Sequence, residues 1–310
     1  MTSIIALDIG GTHMRAAVFP KDGTKILNHK RIRTYADGET SLGRLISLIQ
    51  EVKPRDETID AIGIAVPGII DPQKGIILTA PNLPEWVGVP IPQLITKEIG
   101  APTFLGNDAN LAALGEWRYG AGRGHHDLLY LTVSTGIGGG VISNDQLLVG
   151  AHGLAAELGH ITILLNGPMC GCGHRGHLEA LASGTAIAAF IAQQLAEGCQ
   201  SSLSGTPDAK AISQAAKSGD KLAKKAFQRA GYYLGLGVAN YLMVFNPSIV
   251  IFGGGVSNVG NLLFKPMQET LEKSVLSERY LQDLVITTAE LGDNTGLYGA
   301  LALARQAIST

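Results

Sequence analysis

The chain has 310 residues, a formal net charge of −2 and 45% hydrophobic residues, a balance typical of a globular protein long enough for two domains. With no basic excess to neutralise phosphates we expect no nucleic-acid partner, and no apolar run is long enough for a membrane span. Asp8 interrupts the first apolar run, which argues against a secretory signal, and the three cysteines make no disulfide framework. We therefore expect a cytoplasmic protein without a membrane partner.

The first recognisable feature is a glycine turn between two apolar stretches. The stretch IIALDI (4–9) is followed by GGT (10–12) and by HMRAAVF (13–19). This pattern predicts two strands joined by a tight turn. Apolar residues then recur at helical spacing over residues 41–53, which predicts an amphipathic helix there.

Asn107 and Asp108 stand within FLGNDANLAALGEW, residues 104–117, where a predicted strand ends and a predicted helix begins. Viewed alone, such a pair indicates an N-cap, because both side chains accept the free N–H groups of the first helical turn.

The strand and glycine-turn pattern occurs a second time. LLYLTV (128–133) leads into STGIGGG (134–140) and a returning strand, and SIVIFGGGVSN (248–258) is a third strand running into glycines. Repetition of this kind suggests an internal duplication into two similar α/β halves. The first and second turns would then face each other.

Three longer helices are predicted, over residues 185–198, 220–245 and 294–307. Strands that alternate with helices indicate an α/β protein. Glycines cluster in GEWRYGAGRG, so we place the domain change there. The predicted small domain comprises residues 1–117 and about 297–310, and the large domain comprises residues 118–296.

Glycine turns of this type can bind anions, because no side chain blocks the approach to the backbone N–H groups. Two of them on opposing halves would hold a polyphosphate chain. The chain has no G-x-x-x-x-G-K-[ST] loop, and the glycines around residue 136 do not complete G-x-G-x-x-G, so the common nucleotide fingerprints do not apply. The alternative is that the turns simply close hairpins.

At this point the residues carry a family resemblance. LDIGGTHMR resembles the first phosphate motif of the superfamily of sugar kinases, heat-shock proteins and actin, STGIGGGV its second phosphate motif, and IVIFGGGVS its adenosine motif. VPGIID, APNLPEW, GNDANLAALGE, AAELGH and CGCGHRGHLEALASG together resemble the ROK family (repressors, open reading frames and kinases), and PNLPEW and LGDNTGLYGA resemble its glucokinase subgroup. The resemblance implies a duplicated actin-like ATPase fold, related to ribonuclease H, with two α/β domains around a central cleft. It also implies a homodimer.

Two cysteines and two histidines suggest a structural zinc site, since zinc takes four nitrogen and sulfur ligands. We expect the ligands His160, Cys170, Cys172 and His177. ROK proteins are similar here but carry a third cysteine where this chain has His177, and His174 competes for that position. A glycine loop with chance cysteines and a pair of reactive thiols are the other interpretations.

The resemblance also implies roles for individual residues. Asp108 would be the catalytic base, and Asp8 would serve Mg²⁺ directly or through water. The expected sugar contacts are Gly68, Asn82, Asn107, Asp108, Glu157, His160 and Glu179. The expected ATP contacts are Asp8, Gly10, Gly11, Thr12, Thr135, Gly136 and Gly254. No role is expected for His13, His125, His126 and His152.

The implied activity is ATP-dependent phosphorylation of glucose at its 6-hydroxyl, with Mg²⁺ as working metal and zinc as a structural ion. The first alternative is a kinase for N-acetylmannosamine, N-acetylglucosamine, mannose or fructose. The second is a sugar-sensing ROK repressor, which we disfavour because the first phosphate strand begins at Ile4. A structural actin-like filament protein is the third. ATP or polyphosphate as the donor is left open.

Overall fold

A computed structural model describes residues 2–55 and 57–309. The chain divides into two compact units. The first comprises Met1–His125, Gly140–Ala156 and Ala289–Thr310, and the second comprises His126–Gly139 and Glu157–Thr288.

Strands and helices alternate along the described chain. The strands are β1 (Thr2–Ile9), β2 (His13–Pro20), β3 (Asn28–Arg33), β4 (Thr58–Val66), β5 (Ile69–Asp71), β6 (Ile76–Thr79), β7 (Thr103–Asn107), β8 (Leu128–Val133), β9 (Ile137–Ser143), β10 (Gln146–Leu147), β11 (Ile249–Gly253) and β12 (Val285–Thr288). The helices are α1 (Ser41–Val52), α2 (Ile91–Ile99), α3 (Asp108–Tyr119), α4 (Leu178–Ala182), α5 (Gly184–Ala196), α6 (Ala209–Lys217), α7 (Lys221–Phe245), α8 (Asn261–Ser274) and α9 (Thr295–Ser309).

The two large sheets share one plan. The first has the order β3-β2-β1-β4-β7 and the second the order β10-β9-β8-β11-β12. In the first sheet, β2 and β3 are antiparallel while β1, β4 and β7 run parallel. In the second, β9 and β10 are antiparallel while β8, β11 and β12 run parallel. The predicted α/β class and internal duplication are confirmed.

The predicted helices are also confirmed, with small differences at their ends. The amphipathic helix expected over residues 41–53 is α1, whose Leu45, Leu48 and Ile49 are completely buried. The three longer helices are α5, α7 and α9. No helix in the described part of the chain combines the length and apolar character needed to cross a membrane.

Helix α3, which begins at Asp108, packs tightly on α9 within the first unit. A Cβ at Gly115 would lie 2.7 Å from the backbone nitrogen of Gly299, and one at Gly299 would lie 1.9 Å from the carbonyl oxygen of Leu111. The two helix backbones approach each other this closely because these two positions lack side chains.

The carboxylate of Glu116 fixes the other end of α3. It is fully buried and accepts backbone N–H groups from Ala121 at 2.9 Å, Glu290 at 3.1 Å and Leu291 at 2.9 Å. These bonds attach the segment before α9 to α3. Consistent with these bonds, residues 118–125, 140–156 and 289–296 belong to the first unit. The predicted small-domain boundaries at residues 117 and 297 remain a prediction from the sequence.

Candidate functional site

The first glycine turn, residues 10–12, connects β1 to β2 as predicted. The N–H of Gly10 donates to the carbonyl of His13 at 2.8 Å, and the hydroxyl of Thr34 donates to the carbonyl of Gly10 at 2.6 Å. The N–H of Thr34 donates to the carbonyl of Thr12 at 2.9 Å. Because two carbonyl groups of the turn are held by Thr34, the orientation of its peptide units is determined by a residue that the sequence did not identify.

Asp8 lies at the end of β1 beside this turn. Its carboxylate pairs with the guanidinium of Arg15, whose Nε lies 3.1 Å from Oδ2. The first turn of α9 packs on the same group, since a Cβ at Gly296 would be 2.7 Å from the Asp8 carboxyl carbon. Arg15 therefore compensates the negative charge of Asp8. The two residues lie opposite each other because the β1–β2 register pairs Asp8 with Arg15.

Asn82 and Gly68 lie close to other predicted site residues. Asn82 contacts the first turn, because a Cβ at Gly11 would be 2.7 Å from its own Cβ. Gly68 has φ +111°, a conformation that favours glycine, and its carbonyl accepts the side-chain amide of Asn107 at 3.0 Å. The structure thus brings Gly68 to Asn107 and Asn82 to the first glycine turn.

Asn107 is the N-cap of α3, as its sequence context predicted. Its Oδ1 accepts the N–H groups of Ala109 and Asn110, both at 3.0 Å. Asp108 is the first residue of the helix and accepts the N–H of Ala109 at 2.8 Å. The positive end of the helix dipole favours the ionised form of a carboxylate at this position.

The second glycine turn connects β8 to β9 and contains Thr135 and Gly136. The carbonyl of Ser134 accepts the N–H of Gly184 at 2.8 Å, and the carbonyl of Thr135 accepts the hydroxyl of Thr185 at 2.9 Å. These bonds join the turn to the start of α5.

Glu179 also contacts the second turn. Its Oε2 accepts the N–H of Ile137 at 2.9 Å, and a Cβ at Gly136 would lie only 2.4 Å from that oxygen. Its Oε1 accepts the thiol of Cys170 at 3.4 Å. Glu179 therefore stands between the turn and the cysteine loop. Its place two residues after His177 indicates the contact with the loop, but no spacing in the sequence indicates the contact with the turn.

A cavity of about 630 Å³ opens beside the second turn within the second unit. Its walls come from the turn, from α5, α6 and α7, and from the segment after β11, where Gly254 precedes the lining residue Gly255. The lining includes Thr135, Thr185, Lys210, Lys217, Phe227 and Asn258. Two lysines and a surrounding apolar wall suit an anionic ligand with a planar apolar part. The sequence prediction missed Lys210 and Lys217, because α6 was not recognised as a helix.

The four predicted zinc ligands form one cluster in the second unit. Their ligand atoms all lie within 4.8 Å of one another. Cys170 Sγ is 3.7 Å from His160 Nδ1, and Cys172 Sγ is 3.2 Å from His177 Nδ1. Tetrahedral zinc separates neighbouring nitrogen and sulfur ligands by roughly 3.3–3.8 Å. The cluster therefore suits this ion in donor type, and the two quoted pairs lie within or close to that range.

His177 and His174 differ in their surroundings. His177 is buried, and burial together with the neighbouring His160 and His174 lowers its pKa; the neutral imidazole that results is the form that binds metal. His174 is exposed, with Nδ1 3.8 Å from Cys172 Sγ. The compact four-atom group contains His177.

The two ring nitrogens of His160 face different partners. Nδ1 faces Cys170, while Nε2 lies 4.0 Å from Oε2 of Glu157. Burial raises the pKa of Glu157, His160 counteracts this, and the charge of Glu179 raises the pKa further. Burial also raises the pKa of the Cys170 thiol to about 11. Ionising this thiol is therefore unfavourable, and a bound cation would offset that cost by stabilising the thiolate.

The predicted site residues therefore form two groups. The group in the first unit comprises Asp8, Gly10, Gly11, Thr12, Gly68, Asn82, Asn107 and Asp108, and the group in the second comprises Thr135, Gly136, Glu157, His160, Cys170, Cys172, His177, Glu179 and Gly254.

Comparison with known proteins supplies the family. The ROK family matches residues 4–307, which is nearly the whole chain. The chain belongs to the ROK family. It is 38% identical over 312 residues to the glucokinase of Thermotoga maritima, covering 98% of each sequence.

Solved ROK structures agree with this assignment. The ROK hexokinase from Thermus thermophilus superposes with a TM-score of 0.86 at 34% identity, with 99% of both chains covered. A ROK family glucokinase from Streptomyces griseus, in complex with glucose and AMPPNP, has a TM-score of 0.82 at 34% identity and covers 98% of this chain and 99% of its own. The predicted actin-like ATPase fold is confirmed for this ROK chain.

Proposed function

We propose that this ROK protein is an ATP-dependent glucokinase that phosphorylates glucose at the 6-hydroxyl. The observation that carries the proposal is the junction of β7 and α3. There the Asn107 amide bridges Gly68 and the first helical turn, and Asp108 stands at the helix N-terminus. A glucokinase at 34% identity over 98% of this chain holds glucose and AMPPNP together.

Asp108 would act as the general base. As the 6-hydroxyl oxygen attacks the γ-phosphorus of ATP, its proton passes to the Asp108 carboxylate. A new P–O bond forms, the bond from the γ-phosphorus to the β–γ bridging oxygen breaks, and ADP leaves with that electron pair. Phosphoryl transfer depends mainly on positioning and charge neutralisation, so an ionised carboxylate is a sufficient base.

We assign the nucleotide to the second turn and the adjacent cavity. Thr135 and Gly136 would contact phosphate oxygens, and Gly254 would approach the adenosine. Lys210 and Lys217 outnumber the one carboxylate, Asp208, in the cavity lining, and this positive excess favours a polyanionic donor. Gly10, Gly11 and Thr12 would contact the transferred phosphoryl group through the first turn.

Asp8 would hold Mg²⁺ through water. Its carboxylate is partly exposed and has about four lone-pair sites, so the pairing with Arg15 is compatible with a metal-bound water. When bound, Mg²⁺ supplies positive charge to the phosphate oxygens.

Glucose would contact Gly68, Asn82, Asn107, Glu157, His160 and Glu179. Carboxylate and amide groups suit a pyranose, because its hydroxyls both donate and accept hydrogen bonds. His160 can serve a sugar hydroxyl with Nε2 while Nδ1 faces the zinc cluster. We propose structural zinc at His160, Cys170, Cys172 and His177, and a cytoplasmic homodimer as the family resemblance implies.

A coupled assay across glucose, mannose, fructose, N-acetylglucosamine and N-acetylmannosamine, with ATP or inorganic polyphosphate as donor, tests the proposal. We expect the highest kcat/KM for glucose with ATP. A higher value for another hexose corrects the substrate. Absence of phosphorylation with every sugar, together with tight sugar binding, would contradict the kinase assignment and favour a sugar sensor.

A further inference from the structure

The second glycine turn is held from two sides. On one side, Gly184 and Thr185 at the start of α5 donate to the carbonyls of Ser134 and Thr135, at 2.8 and 2.9 Å. On the other side, Glu179 Oε2 accepts the N–H of Ile137 at 2.9 Å. Together these bonds determine how the peptide groups of the turn are oriented.

The Glu179 side directly adjoins the four-ligand cluster of His160, Cys170, Cys172 and His177. Glu179 Oε1 lies 3.4 Å from Cys170 Sγ. Glu179 also stands two residues after His177, which is the N-cap of the five-residue helix α4. Two of the four cluster residues thus adjoin Glu179, Cys170 through its side chain and His177 through the start of α4.

The Gly136 position shows how closely the carboxylate and the turn fit. A Cβ there would come within 2.4 Å of Oε2, so any side chain at position 136 would displace the Glu179 carboxylate. Movement away breaks the bond to Ile137. The conformation of the turn and the position of Glu179 therefore depend on each other.

We infer that Glu179 is a positioning residue that couples metal occupancy of the cluster to nucleotide affinity at the second turn. This inference rests on the proposed function, and it adds a role for Glu179 beyond contact with sugar. A metal binds Cys170 as the thiolate, so the hydrogen bond from this thiol to Glu179 is absent in the loaded protein. The metal instead fixes Glu179 through His177 at the start of α4, which orders the turn before the nucleotide arrives. By linkage, the nucleotide must tighten metal binding by the same factor.

The test measures binding of a non-hydrolysable ATP analogue, without sugar, by titration calorimetry on the full chain with zinc and after chelation. We expect zinc removal to weaken binding about 5-fold or more. In Glu179→Ala the zinc-loaded and metal-free proteins should differ by less than about 2-fold, since the connection is lost. Glu179→Gln should retain most of the dependence, because its amide oxygen can still accept the N–H of Ile137.

Thr185→Val is the matched control. It removes the hydroxyl bond to Thr135 but leaves Glu179 intact, so it should weaken analogue binding equally in both metal states. Folding of each protein is checked by circular dichroism.

A reciprocal measurement needs no metal-free sample. Zinc transfer from the wild-type protein to a chromogenic chelator should require more chelator when the analogue is present, by the same factor as above. Equal analogue affinity with and without zinc, or a zinc affinity that ignores the analogue, would overturn the inference alone. No analogue binding in any form would overturn the proposed function with it.

Discussion

Oε1 of Glu116 accepts the backbone N–H of Leu291 at 2.9 Å, although the two residues are 175 positions apart. Glu116 closes the C-terminal half of the helix that Asp108 begins, and Leu291 precedes α9. The bond therefore joins the helix that carries the proposed base to the closing helix of the chain.

Replacing Glu116 by Ala should lower the free energy of unfolding by about 3 kcal/mol or more, since three backbone N–H groups lose a buried acceptor and each costs about 1–3 kcal/mol. Denaturant titration measures the change. Glu290→Gln is the control, because its exposed pair with Arg123 contributes less than about 1 kcal/mol. Equal stability of the Ala variant and wild type would contradict this role for Glu116.

Gly299→Ala should disrupt the contact between α3 and α9. The new methyl would lie 1.9 Å from the carbonyl oxygen of Leu111, and relieving such an overlap costs about 1–3 kcal/mol. Gly255→Ala should change stability by less than about 1 kcal/mol, as its methyl meets nothing within 4 Å. Thermal melting of both variants side by side distinguishes the two outcomes.

Asp108→Ala should lower kcat by about 10²–10⁴-fold, the usual contribution of a general base, while glucose still binds. Steady-state kinetics and sugar titration together give the answer, with the exposed Asp37→Asn as a control of unchanged activity. Near-normal turnover in the Ala variant would remove Asp108 from the mechanism.

The protein purified without chelator should contain about one zinc per chain, and His177→Ala should lose most of it. His174→Ala should keep it, since His174 is the exposed neighbour and His177 belongs to the compact four-atom group. Elemental analysis of the three proteins decides. Less than about half a zinc per wild-type chain would count against the site. Loss of zinc in His174→Ala but not in His177→Ala would make His174 the fourth ligand in place of His177.

Asp220, the N-cap of α7, should make stability depend on pH. Burial acts to raise the pKa of Asp220, but hydrogen bonds from Ala223, Ser201 and Ser202 outweigh it and hold the pKa well below the ordinary value of 3.8. The stability that Asp220 contributes is therefore present above about pH 4 and is lost as the pH falls through the lower native pKa.

Asp220→Ala should consequently cost about 0.5–2 kcal/mol at pH 7 and progressively less at acidic pH. Denaturant titrations of wild type and variant at pH 7, 4 and 3 measure the difference. A cost that stays constant or grows toward pH 3 would show that the ionised carboxylate is not the stabilising form.

Local patterns were enough to predict the glycine turns, the N-cap at Asn107 and the helices α1, α5, α7 and α9. Each depends on neighbours within a few positions, where helical periodicity, capping and glycine conformations act. The combined motifs also pointed to the ROK family and its fold, because their order along the chain mirrors the order of strands and turns.

The tertiary structure alone decided how distant groups meet. It placed the Glu116 carboxylate on Leu291, the Glu179 carboxylate between Cys170 and Ile137, and Lys210 in the wall of a cavity. Spacing could not separate His177 from His174, since both imidazoles follow the cysteines within a few residues, and only the folded loop buries one ring and exposes the other. Such contacts arise from packing of elements far apart in the chain, which no local pattern encodes.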